Sequence, residues 1–188
     1  MEIGTVYWVT GLAGAGKTTI GTLLYNRLRA ERPNVILLDG DVTRWAFNDA
    51  NGYTKDDRRQ AAYRNARVCK MISDQGIDVV CCTISMFESV REWNRKNIPL
   101  YREIFLDVPL RILKQRDKKG LYSKSIRGEA RDVVGMDLTL ELPSCPNVRI
   151  VNDGSISPEE VLAFIWEKFM YGNYEVSSKK LQGVDDRA

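Results

Sequence analysis

The sequence predicts an α/β domain: a parallel sheet of about five strands with helices on both faces. Three observations carry that expectation. Short β-rich runs alternate with helical segments, which implies right-handed β-α-β crossovers. The run Val35–Leu38 is continuously apolar, the pattern of a strand buried on both faces of a parallel sheet. A glycine-rich turn separates the first strand from the first helix. No internal repeat or linker interrupts the pattern, so residues 1–170 read as one domain, followed by a polar tail over 171–188.

Each element has its own signal. Thr5–Thr10 reads as the first strand. Lys17–Ala30 reads as a helix with Ile20, Leu23, Leu24 and Leu28 on one face, broken by Pro33-Asn34. The Val35–Leu38 strand ends at Asp39-Gly40-Asp41, which reads either as a pair of functional carboxylates or as a solvated Asp-Gly turn. Thr54 and Asp57 form a capping box for a helix reaching about Gln75, with Gly76 as its stop. Ile77–Ser85 is a third strand, Phe87–Asn97 a polar helix ended by Pro99, and Tyr101–Leu106 a fourth strand. Leu110–Arg116 is a short helix. Asp117–Pro146 has weak periodicity and reads as loop-rich, and Val148–Val151 is a fifth strand. Ser157-Pro158-Glu159-Glu160 supplies an N-cap, a first-turn proline and a capping-box acid for a last helix reaching about Met170.

Composition narrows the chemistry. The 188 residues include no histidine, which excludes Ser-His-Asp and Cys-His catalysis as usually built, and zinc sites with histidine ligands. Acid–base work falls to carboxylates, lysine, tyrosine, cysteine or water. The net charge of +3 is too small for a general nucleic-acid binder. Cys69, Cys81, Cys82 and Cys145 show no C-x-x-C spacing and read as reduced, buried thiols of a cytoplasmic protein. No segment approaches the length of a membrane span, and no basic leader precedes the first strand.

Gly11-Leu12-Ala13-Gly14-Ala15-Gly16-Lys17-Thr18 matches the phosphate-loop pattern G-x-x-x-x-G-K-[ST] in full. Its glycines let successive backbone N–H groups point at one anion, Lys17 reaches the β- and γ-phosphates, and Thr18 offers a hydroxyl to Mg²⁺. Gly11, Ala13, Gly14, Ala15, Gly16, Lys17, Thr18 and Thr19 are therefore the expected ATP contacts, on a P-loop NTPase-type sheet. GTPases carry a base-reading Asn-Lys-x-Asp stretch, and this chain has none. The loop alone reads as that of a small metabolite or nucleotide kinase. At the carboxyl end of the second strand, Asp39 and Asp41 could hold Mg²⁺-bound water or take a proton from an acceptor hydroxyl, and Arg44 could grip an anion.

Taken together, these motifs resemble the adenylylsulfate kinase family. The resemblance is carried by the phosphate loop, Leu38-Asp39-Gly40-Asp41-x-x-Arg44, Gly52-Tyr53-Thr54-x-x-Asp57-Arg58, Ile84-Ser85, Asp117-Lys118-Lys119-Gly120-Leu121-Tyr122, Gly128-Glu129 and Gly135-Met136-Asp137. It spans roughly Val6–Val151 and implies transfer of the ATP γ-phosphoryl group to the ribose 3′-hydroxyl of a 5′-modified nucleotide. On it, Lys17, Asp39 and Asp41 become the catalytic set, with Thr18 and Asp39 holding Mg²⁺ and Arg116 lying against the ATP adenine. Asp41, Arg44, Tyr53, Arg58, Ile84, Ser85, Lys119, Leu121, Lys124 and Val133 become the acceptor set. Ser85 matches a serine that some members phosphorylate, although a strand-end cap reads equally well. Residues 117–135 become a mobile lid made basic by Lys118, Lys119, Lys124, Arg127 and Arg131. Members often form homodimers, an expectation carried by the resemblance alone.

The departures from that family cluster on the acceptor side. Asp-Arg-x-Glu-Asn reads Asp57-Arg58-Arg59-Gln60-Ala61, and Ile-Ser-Pro-Tyr-Arg reads Ile84-Ser85-Met86-Phe87-Glu88. Trp45 stands where a histidine is usual, and Val133 aligns with an aromatic that helps sandwich an adenine, while Tyr53 keeps the opposite wall. Losing one ring forfeits part of a stacking energy on the order of 1–3 kcal/mol per base. The stretch Cys81–Arg95 resembles a subgroup linked to surface-polysaccharide synthesis, the cytidine diphosphoramidate kinases, whose smaller pyrimidine suits a pocket missing a ring. The acceptor is therefore adenylylsulfate or cytidine 5′-diphosphoramidate. A nucleotide-binding chain without chemistry is a further reading, and the intact Lys17, Thr18, Asp39 and Arg44 count against it. A nucleic-acid module lacks its basic stripe with interleaved aromatics.

Overall fold

The computed structural model describes residues 2–48, 54–117, 120–138 and 141–170. Five strands, β1 (Val6–Gly11), β2 (Val35–Asp39), β3 (Asp78–Thr83), β4 (Tyr101–Asp107) and β5 (Val148–Val151), pair in parallel in the order β2-β3-β1-β4-β5. Side chains alternate across the sheet, so β1 to β4 each feed two cores, while β5 feeds one. Val6 and Trp8 of β1 join one core with Val79 and Cys81, while Tyr7 and Val9 join the other with Val80 and Cys82. Helices α1 (Lys17–Glu31) and α7 (Pro158–Met170) cover the second face; α3 (Lys55–Ser73) and α4 (Glu88–Asn97) cover the first.

The helix ends follow the expected capping. Thr54 and Asp57 make a reciprocal capping box at the start of α3. The Ser157 hydroxyl accepts the Glu160 amide at 3.2 Å, and the Glu160 carboxylate accepts the Ser157 amide at 2.7 Å. The P-loop fold, with its five parallel strands and helices on both faces, is the one expected.

Four local expectations are corrected. β2 is an edge strand, and only Val35 of its five residues is fully buried, because strand order is set by non-local pairing that a run of apolar residues does not encode. Asp39-Gly40-Asp41 is not a free turn: it opens helix α2 (Gly40–Ala46), with the Asp39 carboxylate accepting the Asp41 amide. The segment expected to be loop-rich contains a short helix α6 (Leu121–Ile126), which follows α5 (Leu110–Arg116). Cys145 is exposed, whereas Cys69, Cys81 and Cys82 are buried free thiols. The tail over 171–188 lies outside the described residues, as do Tyr53, Lys118 and Lys119. Among the described residues no helix is long and apolar enough to cross a membrane.

Candidate active site

The site grows from the carboxyl ends of β1, β2 and β3. After β1 the chain reverses through the phosphate loop and enters α1 at Gly16, whose left-handed φ of 91° is a conformation open to glycine at little cost. Lys17 Nζ donates to the Leu12 carbonyl at 2.8 Å, which folds its side chain back over the loop. Thr18 Oγ1 donates to Asp39 Oδ2 at 2.7 Å, linking the loop to the end of β2. The other Asp39 oxygen accepts the Asp41 amide at 2.9 Å, so both carboxylate oxygens are oriented. Arg44 is half-buried in the last turn of α2, while Trp45 beside it is 82% exposed.

Two residues that sequence reasoning left out, or quoted without a role, hold the loop from behind. The Tyr122 hydroxyl on α6 donates to the Ala13 carbonyl at 2.9 Å. Burial, then Asp117, pushes the Tyr122 phenol up to about 12, which keeps it a donor. Asn152 Nδ2, just beyond β5, donates to the Ala15 carbonyl at 2.9 Å. Arg116 Nη2 donates to the Asn152 carbonyl at 3.0 Å, so the residue expected beside the adenine also braces this support. Asn152 was legible only as a polar residue at a strand's carboxyl end, where ligands of parallel sheets gather.

Residues expected of the lid and of the acceptor set meet in a cleft. Lys55, Arg58, Ile84, Met86, Phe87, Val134 and Leu138 line it. Arg58 Nη2 donates to the Asp132 carbonyl at 2.9 Å, tying α3 to the segment expected to form a lid. Asp132 takes a positive φ of 58°, and the Asp137 carboxylate accepts the amides of both Asp132 and Val133. Val133 is buried in the core, and the cleft wall belongs to its neighbour Val134. Ile84 lies on the wall. Ser85 is fully buried behind it, its amide donating to Thr10 Oγ1 at 3.4 Å. Among the described residues its hydroxyl has no partner, so it neither caps the strand nor reaches the surface. Leu121 is half-buried and Lys124 exposed on α6, apart from the cleft-lining set.

A buried ionic network stands behind the cleft. Arg91 has no exposed side chain; it donates to Glu88 Oε2, to the Ser85 carbonyl at 3.2 Å and to the Glu141 carbonyl at 2.6 Å. Arg95 bonds Glu88 and, at 3.0 Å, Glu103 Oε2. Burial raises Glu103 to about 7, against the pull of Arg91 and Arg95. Glu88, although burial alone would raise it, lies below the usual carboxylate range because Arg91 and Arg95 hold it. Among the described residues no three Asp, Glu, Cys or His side chains gather as a metal cage.

Residues 3–151 match the family model described as adenylylsulphate kinase. The chain is 39% identical over 163 residues to the cytidine diphosphoramidate kinase of Campylobacter jejuni subsp. jejuni serotype O:2, covering 87% of this chain and 95% of that protein. It is 39% identical over 146 residues to the adenylyl-sulfate kinase of Clostridium kluyveri, covering 77% and 73%. The Mycobacterium tuberculosis APS kinase CysC, solved in complex with AMPPNP and APS, superposes with a TM-score of 0.80 at 30% identity, covering 89% of this chain and 98% of that one.

Proposed function

The chain belongs to the adenylylsulphate kinase family and is an ATP-dependent nucleotide kinase; from that premise we propose that it phosphorylates the ribose 3′-hydroxyl of a 5′-modified nucleotide. The observation that carries this reading is the Thr18–Asp39 bond, which brings the phosphate loop and a carboxylate of the acceptor side within 2.7 Å. In the proposed step the 3′-oxygen bonds to the γ-phosphorus as the bond to the β,γ-bridging oxygen breaks, and ADP leaves. Asp39 takes the hydroxyl proton, with Asp41 holding its orientation through the backbone. Lys17 and the loop amides hold the β- and γ-phosphates, and Arg116 lies against the adenine. Arg44, Arg58 and the cleft receive the acceptor.

Thr18 Oγ1 and Asp39 Oδ2 are hard oxygen donors side by side. They fit Mg²⁺, which binds through one or two protein oxygens and takes the rest of its shell from phosphate and water. When bound there, Mg²⁺ neutralises charge on the transferring phosphates. A cytoplasmic location and a homodimer belong to the same proposal, the latter open to sedimentation velocity.

For the acceptor, adenylylsulfate is the family reading. Cytidine 5′-diphosphoramidate is favoured by one observation: the cleft's described lid wall is aliphatic, built from Val134 and Leu138. ADP release measured with both acceptors decides between them. Clear preference for adenylylsulfate removes the second reading, and turnover of neither rejects both acceptors. Lys17→Ala should abolish turnover with the fold intact, and Asp39→Asn should lower kcat strongly while moving the KM for ATP little. A change confined to KM in Asp39→Asn overturns its role as base.

A further inference from the structure

Two cations, Lys55 and Arg58, stand on the otherwise apolar walls of the acceptor cleft. Three residues apart on α3, they share one helix face. Their attachments differ. Arg58 spends part of its guanidinium on the Asp132 carbonyl and so anchors the lid. Lys55 Nζ lies 3.6 Å from Glu141 Oε1, and the two side chains are 49% and 38% exposed. An exposed pair of that kind is worth only about 0–1 kcal/mol, so an arriving anion of higher charge can replace it.

Glu141, by contrast, is fixed. Its Oε2 accepts the Glu88 amide at 2.8 Å, and its carbonyl accepts a bond from buried Arg91 at 2.6 Å. The carboxylate keeps its place when the lysine leaves, so Lys55 is the moving part and Glu141 the rest position.

The geometry points to Lys55 as a second anion-binding residue of the acceptor cleft, parked on Glu141 until the acceptor's 5′-phosphoryl anion arrives. This rests on the nucleotide 3′-kinase reading and adds a residue that none of the sequence motifs includes. It carries a signature that a merely structural ion pair lacks: removing the two partners has opposite effects. Lys55 contributes attraction, whereas Glu141 competes with the substrate for it.

The test is steady-state kinetics with adenylylsulfate and with cytidine 5′-diphosphoramidate. Lys55→Met should raise the acceptor KM about tenfold, equivalent to about 1.4 kcal/mol of lost binding, with the KM for ATP moving less than about twofold. Glu141→Gln keeps an oxygen for the Glu88 amide and should lower the acceptor KM by roughly threefold, a gain that vanishes in the double variant. Lys55→Arg should restore most of the affinity. An unmoved acceptor KM in Lys55→Met, equal increases in both KM values, or a raised acceptor KM in Glu141→Gln would each overturn the inference while leaving the kinase reading standing. Turnover of neither acceptor by the unaltered protein would overturn that reading, and this inference with it.

Discussion

At the scale of single residues, the phosphate loop depends on hydrogen bonds that its own motif does not contain. Its carbonyls need donors, and while Lys17 of the motif serves Leu12, the carbonyls of Ala13 and Ala15 draw theirs from elsewhere. Tyr122 supplies one to Ala13 and Asn152 another to Ala15. Tyr122→Phe keeps the ring's packing and removes only the donor. It should cost about 1–2 kcal/mol by leaving the partly buried Ala13 carbonyl without this donor, and it should raise the KM for ATP. Thermal unfolding read beside ATP kinetics checks both, and an unmoved ATP KM would confine Tyr122 to packing. The motif residues were legible because their chemistry is local. Asn152 was not, because its partner lies 137 positions away along the chain.

At the scale of elements, the position of α1 on β3 decides where Lys17 and Thr18 sit. The two approach at Gly21, where an added Cβ would lie 2.1 Å from Cys82 Sγ. That thiol is itself committed, donating to the Lys17 carbonyl at 3.3 Å, and burial first, then Asp39, pushes it up to about 12. Gly21→Ala must therefore turn the sulfur away or lift the helix, at a cost of about 1–3 kcal/mol. Cys82→Ala in the same chain should recover part of it, and denaturant unfolding of both variants measures the coupling. If the single and double variants were equally stable, the contact would not be setting the helix position. Long periodic elements were readable from the sequence, as Ile20, Leu24 and Leu28 of α1 illustrate. Helices α2 and α6, with seven and six residues, are too short to show a period, and tertiary contacts hold them instead. Val133 shows the same limit on the acceptor side. Its alignment pointed at the pocket, but the positive φ at Asp132 and the Asp137 bonds turn it into the core and bring Val134 to the wall.

At the scale of the whole molecule, the absence of histidine gives the stability–pH curve an unusual simplicity. No imidazole titrates between pH 5 and 8. Glu103 does. It lies opposite Trp8 in the sheet register, only 1% exposed, and faces Arg91 and Arg95 from α4. Arg91 already has its closest carboxylate in Glu88, with Glu103 Oε1 farther off at 3.6 Å. Burial therefore outweighs the two arginines, and Glu103 keeps its proton to about 7 rather than the ordinary 4.5. A raised carboxylate binds its proton more tightly folded than unfolded. Its contribution to stability is thus complete below about pH 4.5 and is lost as pH rises through about 7. Glu88 has the opposite sign, but its lowered value places its effect below 4.5, outside this window. The unfolding midpoint should consequently fall from pH 5 to pH 8. Glu103→Gln, which stays neutral throughout, should flatten that slope while keeping an oxygen for Arg95. A midpoint that rises over this range, or a slope unchanged in Glu103→Gln, would mean that the carboxylate is ionised in the folded protein and that the two arginines outweigh its burial.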